Sequence, residues 1–239
     1  VGETHMLKPY GERVRATYEY MLSSIHYTER NAAEIQKKMA ESLVELQPGK
    51  KYALQWKLDD TKFQMIDFKG YEAGKKTSEV SGKPRLFYDK TKPFTRKVKF
   101  FNEYIAAKEV TIPKFYAIPK SEYKVIEYLK RNNIKIKEIA KDSAINVDVY
   151  RIEDYKTMKN PYEGHYLHYE TKTKSEFKNL MFRKGDFLVS TEQNGVKYLL
   201  ETLEPEATDS FFNWNFFDAI LGQKEYFSDY VFEGTAAEL

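Results

Sequence analysis

Leu203–Phe232 reads LEPEATDSFFNWNFFDAILGQKEYFSDYVF. Phe211, Phe212, Trp214, Phe216, Phe217, Tyr226, Phe227, Tyr230 and Phe232 place nine aromatic side chains in this one stretch. Each such ring removes about 150–250 Å² from water when it is buried. A solvated tail does not carry that much apolar surface, so the segment is expected to close a core made by the rest of the chain. Asp209 or Ser210 is a suitable N-cap for a helix from Phe211 to about Leu221, and Gly222 is its stop. Trp214 is also a candidate for lining a ligand groove.

Upstream, the layers that this segment would close can be read from periodicity. Val14, Tyr18, Met21, Leu22, Ile25, Ile35, Met39 and Leu43 recur at spacings of three and four, the stripe of an amphipathic helix. It starts near Pro9 and ends at Pro48-Gly49. About 35 residues of helix would span roughly 50 Å, so a break is expected near Ser23-Ser24 or Asn31. From Lys50 the period changes to two. Tyr52 to Leu58, Lys62–Tyr71, Arg85–Tyr88, Thr95–Tyr104 and Lys108–Ile112 read as strands.

Phe115–Ile118, a helix after Ser121 and a strand at Ile134–Lys137 read as a βαβ unit. Val147–Tyr155, Gly164–Thr173 and Phe177–Phe182 alternate again. Phe187–Ser190 and a helix over Gln193–Thr202 follow. The expected fold is α+β. Residues 1–10 lead into a long helix over 11–49. An antiparallel β-sandwich comes from 50–112 with 145–183. A small α/β layer comes from 113–144 with 184–239, covered by aromatic C-terminal helices.

Composition removes several function classes. There is no cysteine, which excludes thiol catalysis, disulfides and cysteine-ligated zinc. The 39 Lys and Arg against 36 Asp and Glu leave a net charge of +3, too even to argue for nucleic acid or an anionic membrane surface. No apolar run approaches the roughly 18 residues of a membrane span. No stretch reads as a signal peptide, and a start without Met reads as a piece of a longer protein. There is no G-x-S-x-G, phosphate loop or dinucleotide fingerprint.

Histidines and carboxylates give the remaining candidates. His26-Tyr27-Thr28-Glu29 is an H-x-x-E, and His165 or His168 lies downstream. Zinc hydrolases use such a set as three protein ligands with one position for water. A helical His and Glu at i,i+3 are also an ordinary surface pair. On one strand His165 and His168 would face opposite sides, so Glu163 with His165, or His168 with Glu170, offers only two ligands. Glu204 and Glu206, before Asp209, form an acidic loop for a cation or for helix capping, with capping favoured.

Gly2-Glu3-Thr4-His5-Met6-Leu7-Lys8-Pro9-Tyr10, followed by Arg13-Val14 and Ala16-Thr17, resembles the end of the catalytic domain in bacterial zinc metallocarboxypeptidases of the carboxypeptidase A-like family, large proteins of Bacteroidetes-type bacteria. Phe115–Pro119 with Val125–Ile134, Val149–Ile152, Tyr162–His165 and Leu203–Phe232 resemble the half that follows the catalytic domain. The resemblance covers essentially the whole chain, but only its first ten or so residues belong to the catalytic domain. It implies that Glu3 is the general base and acid, taking a proton from a zinc-bound water and passing it to the leaving amine.

The family's H-x-x-E, third histidine and carboxylate-binding arginine precede that glutamate, so the motif at His26 stands in the wrong order. The implied reading is a C-terminal accessory region, inactive alone and without zinc of its own. Its parent would be a zinc-dependent, periplasmic or secreted peptidase, and its partners the upstream catalytic domain and peptide substrate. The alternative is a free-standing peptide- or glycan-binding module using Trp214, Tyr52 and Trp56. A third option is a self-contained metalloenzyme built on His26, Glu29 and His165. The α/β layer also resembles an amidotransferase-like sheet, but without cysteine that nucleophile is missing.

Overall fold

The computed structural model describes residues 2–6, 8–222 and 229–238. Tyr226 and Phe227 of the aromatic stretch lie outside them. The fold is α+β. The chain divides into two compact units, Val1–Tyr52 with Thr111–Leu239, and Ala53–Val110.

In the first unit, α1 (Tyr10–Arg30) and α2 (Ala32–Glu45) replace the single long helix. The break falls at Asn31, whose side-chain amide donates to the Tyr27 carbonyl at 2.8 Å. Its backbone N–H donates to the same carbonyl at 3.0 Å. That backbone bond is the ordinary i→i−4 bond, and the side-chain amide competes with it for the same carbonyl. Neither helix buries a residue.

The core of this unit is built from short elements. Strands β5 (Phe115–Ile118), β6 (Lys137–Glu138) and β9 (Phe187–Ser190) form a sheet in the order β5-β9-β6. Both β5 and β6 run antiparallel to β9. The expected parallel pair is therefore separated by a third strand, and the sheet needs no direct βαβ contact. Helix α3 (Tyr123–Arg131) buries Val125, Ile126 and Leu129 on one side, at spacings of one, three and four. Helix α4 (Val196–Leu203) buries Val196, Leu199 and Leu200. Leu129 and Leu199 meet Ile118, Ile134, Val189 and Phe211 in one cluster, with Phe216 and Phe217 packed on it.

The aromatic stretch closes this core in a different form from the expected helix. Residues 211–217 are successive turns, and a 3₁₀ helix follows at Asp218–Leu221. Short side chains compete for the backbone there. Ser210 Oγ accepts the Asn213 N–H at 3.0 Å, Asn213 Nδ2 donates to the Ala207 carbonyl at 2.8 Å, and Asn215 stands at φ +68°. Such bonds favour turns over helix interiors. Phe211 and Phe212 are buried, while Trp214, Phe216 and Phe217 are half-buried. Helix α5 (Asp229–Glu238) leaves Tyr230 and Phe232 exposed. Among the described residues, the rings of 211–217 therefore pack on the core, while Tyr230 and Phe232 stay exposed.

The strands expected over 50–112 and 145–183 stand as three two-stranded sheets. In the first unit β7 (Ser143–Thr157) and β8 (His168–Phe182) form an antiparallel hairpin with irregularities around Asp154. In the second unit β2 (Gln64–Thr77) and β3 (Pro84–Phe100) form another, with a register shift at Tyr71/Glu72. Strand β1 (Lys51–Leu58) pairs with β4 (Tyr104–Thr111). Among the described residues no helix is long and apolar enough to cross a membrane.

Candidate functional site

Glu3 is exposed on an extended segment that lies back along α1. Thr4 Oγ1 is 3.3 Å from Thr17 Oγ1. A side chain at Gly2 would meet the Tyr20 ring at 2.9 Å. The glutamate is thereby carried beside the Thr17–Tyr20 turn of a helix whose apolar residues face solvent. Tyr10, Val14, Tyr18, Met21 and Ile25 are all at least half exposed. An open groove of about 400 Å³ lies further along, lined by Tyr27, Asn31, Ile35 and Met39 among others.

The structure does not bring the candidate metal ligands together. His26 and Glu29 are exposed on α1. His165 lies in a turn, edge-on to Trp214 at 5.5 Å and stacked near Phe216. His165 and His168 are not neighbours on one strand. Tyr162–His165 closes a small turn through Glu163 and Gly164, both at positive φ, and β8 begins only at His168. Among the described residues no three His, Asp or Glu side chains are grouped to hold a metal ion. These residues do not fit a zinc centre.

His168 is a core residue. Its Nδ1 lies 2.9 Å from Thr157 Oγ1, and its Nε2 lies 3.1 Å from Asp218 Oδ1 and 3.2 Å from the Asn215 amide. Tyr155 and Phe212 pack on the ring at centroid distances of 4.6 and 5.1 Å. A hydroxyl, an imidazole and a carboxylate are in line, as a relay requires. Both ring nitrogens are already engaged, however, and the ring is buried. The arrangement locks the start of β8 to the aromatic segment.

Of the candidate binding rings, Trp214 and Tyr52 stand in the first unit and Trp56 in the second. Trp214 is half-buried, with Nε1 3.4 Å from Asp209 Oδ1 and its ring 6.4 Å from Tyr162. Tyr52 donates its hydroxyl to Glu201 at 2.5 Å. Burial and that carboxylate push its phenol far above the ordinary range. Trp56 is exposed on β1.

Among the described residues the Glu204 and Glu206 carboxylates bond to hydroxyls and a strand N–H, and no cluster of metal-ligand side chains forms there. Glu204 is 2 % exposed. Its carboxylate accepts the hydroxyls of Tyr116 and of Tyr150, the latter at 2.7 Å. Glu206 accepts the backbone N–H and the hydroxyl of Thr173, each at 2.8 Å. Burial raises the Glu204 carboxyl above its ordinary value; the tyrosine hydrogen bonds work in the other direction and do not cancel it. Burial and the same carboxylate hold both phenols protonated. The partners lie 88 and 54 residues away, so the only signal in the sequence is a pair of carboxylates beside an apolar run.

Comparison with protein-family models, with curated proteins and with solved structures finds no match.

Proposed function

We propose that this chain is the C-terminal accessory region of a periplasmic or secreted zinc-dependent metallocarboxypeptidase, with the end of the catalytic domain at its head. The observation that carries the reading is the bare apolar stripe of α1 directly behind Glu3. Large apolar patches on one face mark docking surfaces. A stripe that follows directly on the segment bearing a catalytic glutamate fits the flank of the domain to which that segment would belong. Glu3 supplies the proton transfer, and the helix seats the accessory region against the domain. The metal ligands belong to that upstream domain, and peptide is the substrate of the whole.

The test is docking. The chain is mixed with the isolated upstream catalytic domain, and association is followed by calorimetry. Wild type binds, and Val14→Asp with Ile25→Asp abolishes binding without lowering the thermal midpoint, because both side chains are exposed. Association that survives the double substitution contradicts the reading. A peptide- or glycan-binding module is favoured by one feature only, the exposed Tyr162 beside Trp214. It predicts saturable oligosaccharide or peptide binding that Trp214→Ala removes and the α1 variants leave intact.

A further inference from the structure

The even charge of the whole chain hides a split. Between residues 64 and 100 stand ten Lys or Arg and four Asp or Glu, a net +6 within a total of +3, so the remainder carries −3. That stretch is the β2–β3 hairpin of the second unit. Its two faces differ. On one, Phe94 covers Gly70 and Phe87 covers Gly74, each closing to 2.8 Å of where a Cβ would stand. Arg96 lies 4.1 Å over the Phe94 ring and pairs with Glu72. Around Gly70 and Gly74 this face is covered by the hairpin's own rings, while Ile66 and Phe68 toward its base stay exposed.

The other face is open. It carries the cross-strand pairs Met65–Lys99, Asp67–Lys97, Lys69–Thr95, Tyr71–Pro93, Ala73–Tyr88 and Lys75–Leu86. Met65, Tyr71, Leu86 and Tyr88 on it are all exposed. The hairpin ends in a built turn. Ser78 N–H donates to the Lys83 carbonyl at 2.9 Å, Gly82 N–H donates to the Ser78 carbonyl at 2.9 Å, and Gly82 takes φ +66°. At its apex Val80 is 97 % exposed. The hairpin's ion pairs are Arg96–Glu72, Lys97–Asp67 and Lys92–Asp89. Lys69, Lys75, Lys76, Lys83 and Arg85 stand outside them.

We propose that this face and tip bind the surface of an anionic lipid bilayer. Val80 and Leu86 enter the boundary of headgroups and acyl chains, Tyr71 and Tyr88 sit at headgroup level, and the lysines meet the anionic headgroups. Two features select lipid over nucleic acid. Exposed Val, Leu and Met have no counterpart on a phosphate backbone. Eight of the ten cations are lysine, a point charge rather than the planar fork suited to bidentate phosphate recognition. The inference rests on the second unit alone and does not depend on the peptidase reading.

The test is co-sedimentation of the full chain with vesicles of phosphatidylcholine and with an equimolar mixture of phosphatidylcholine and phosphatidylglycerol. The chain partitions onto the mixed vesicles and not the neutral ones, and about 1 M salt releases it. Each lysine removed near the surface lowers the partition coefficient about fivefold. Lys75→Gln with Lys83→Gln therefore lowers it roughly 25-fold. Val80→Asp also releases the chain, with thermal midpoints unchanged for every variant. Equal binding to neutral vesicles, or binding that these substitutions leave untouched, overturns the proposal. So does displacement of the chain from vesicles by a single-stranded oligonucleotide that it binds more tightly.

Discussion

Replacing Glu204 with Gln tests whether a buried carboxylate is a burden on this fold that grows with pH. Glu204 is 2 % exposed and holds two phenol donors. Its carboxyl lies above its ordinary value in the folded chain, with burial as the leading cause. The folded state therefore binds the proton more tightly than the unfolded state does. The stability linked to that proton is fully present below the unfolded pKa of about 4.3 and is lost as pH rises through the higher folded pKa. A glutamine at this position carries no such dependence. The difference in unfolding free energy, wild type minus Glu204→Gln, should fall as pH rises from about 4 into the neutral range. Taking this difference removes the opposite contributions of Asp59, Asp89, Asp142 and Asp154, whose carboxyls are held low by hydrogen bonds and neighbouring cations. Tyr116→Phe supplies the magnitude. It removes one donor from the buried group, which costs about 1.5–3 kcal/mol while Glu204 is charged and about 0.5–1.5 kcal/mol once it is neutral. Urea unfolding of both variants at acid and neutral pH reads each quantity. A wild-type-minus-variant difference that is flat or rises with pH refutes the reasoning, as does a Tyr116→Phe cost that is larger in acid.

Three further outcomes follow from the core. Gly195→Ala places a Cβ 2.2 Å from Ile134 Cδ1 and should cost about 1–3 kcal/mol by overpacking; Ile134→Val removes that atom, so a double-mutant cycle in urea should show favourable coupling. Leu199→Ala empties a fully buried position and should cost about 2–5 kcal/mol, read as a lowered urea midpoint. Asp186 accepts the N–H groups of Lys120 at 2.9 Å and Arg183 at 2.7 Å through its two oxygens; Asp186→Asn keeps one acceptor oxygen and should cost about 1–3 kcal/mol, read as a lowered thermal midpoint.

Much of the fold was legible because it follows from spacing. The stripe from Val14 to Leu43 marks the leading helices, and the alternation after Lys50 marks β1. The apolar side of Tyr123–Arg131 gives α3. What was not legible depends on distant contacts or on competition between short side chains. Asp209 or Ser210 as N-cap and Gly222 as stop read as the ends of a helix over Phe211 to Leu221, yet the Ser210 and Asn213 side chains take the backbone into turns. Strand β9 enters between β5 and β6 only because of pairing across about 50 to 70 residues of chain. Glu204 finds its phenols across similar separations, so an acidic loop suited to capping is a buried acceptor instead. His26 and Glu29 show that a four-residue motif can sit on a helix face with no third ligand grouped beside it among the described residues. The total of +3 averages a basic hairpin with an acidic remainder, so the whole-chain balance does not reveal the split.

The peptidase reading meets its most direct test in the chain joined to the catalytic domain which that reading places upstream, assayed for release of C-terminal residues from a peptide. The account predicts zinc-dependent release that Glu3→Gln lowers by about 10²- to 10⁴-fold, the scale of a lost general acid–base group, with folding unchanged because Glu3 is exposed. An inactive extended chain, or full activity in the Glu3→Gln variant, would contradict it.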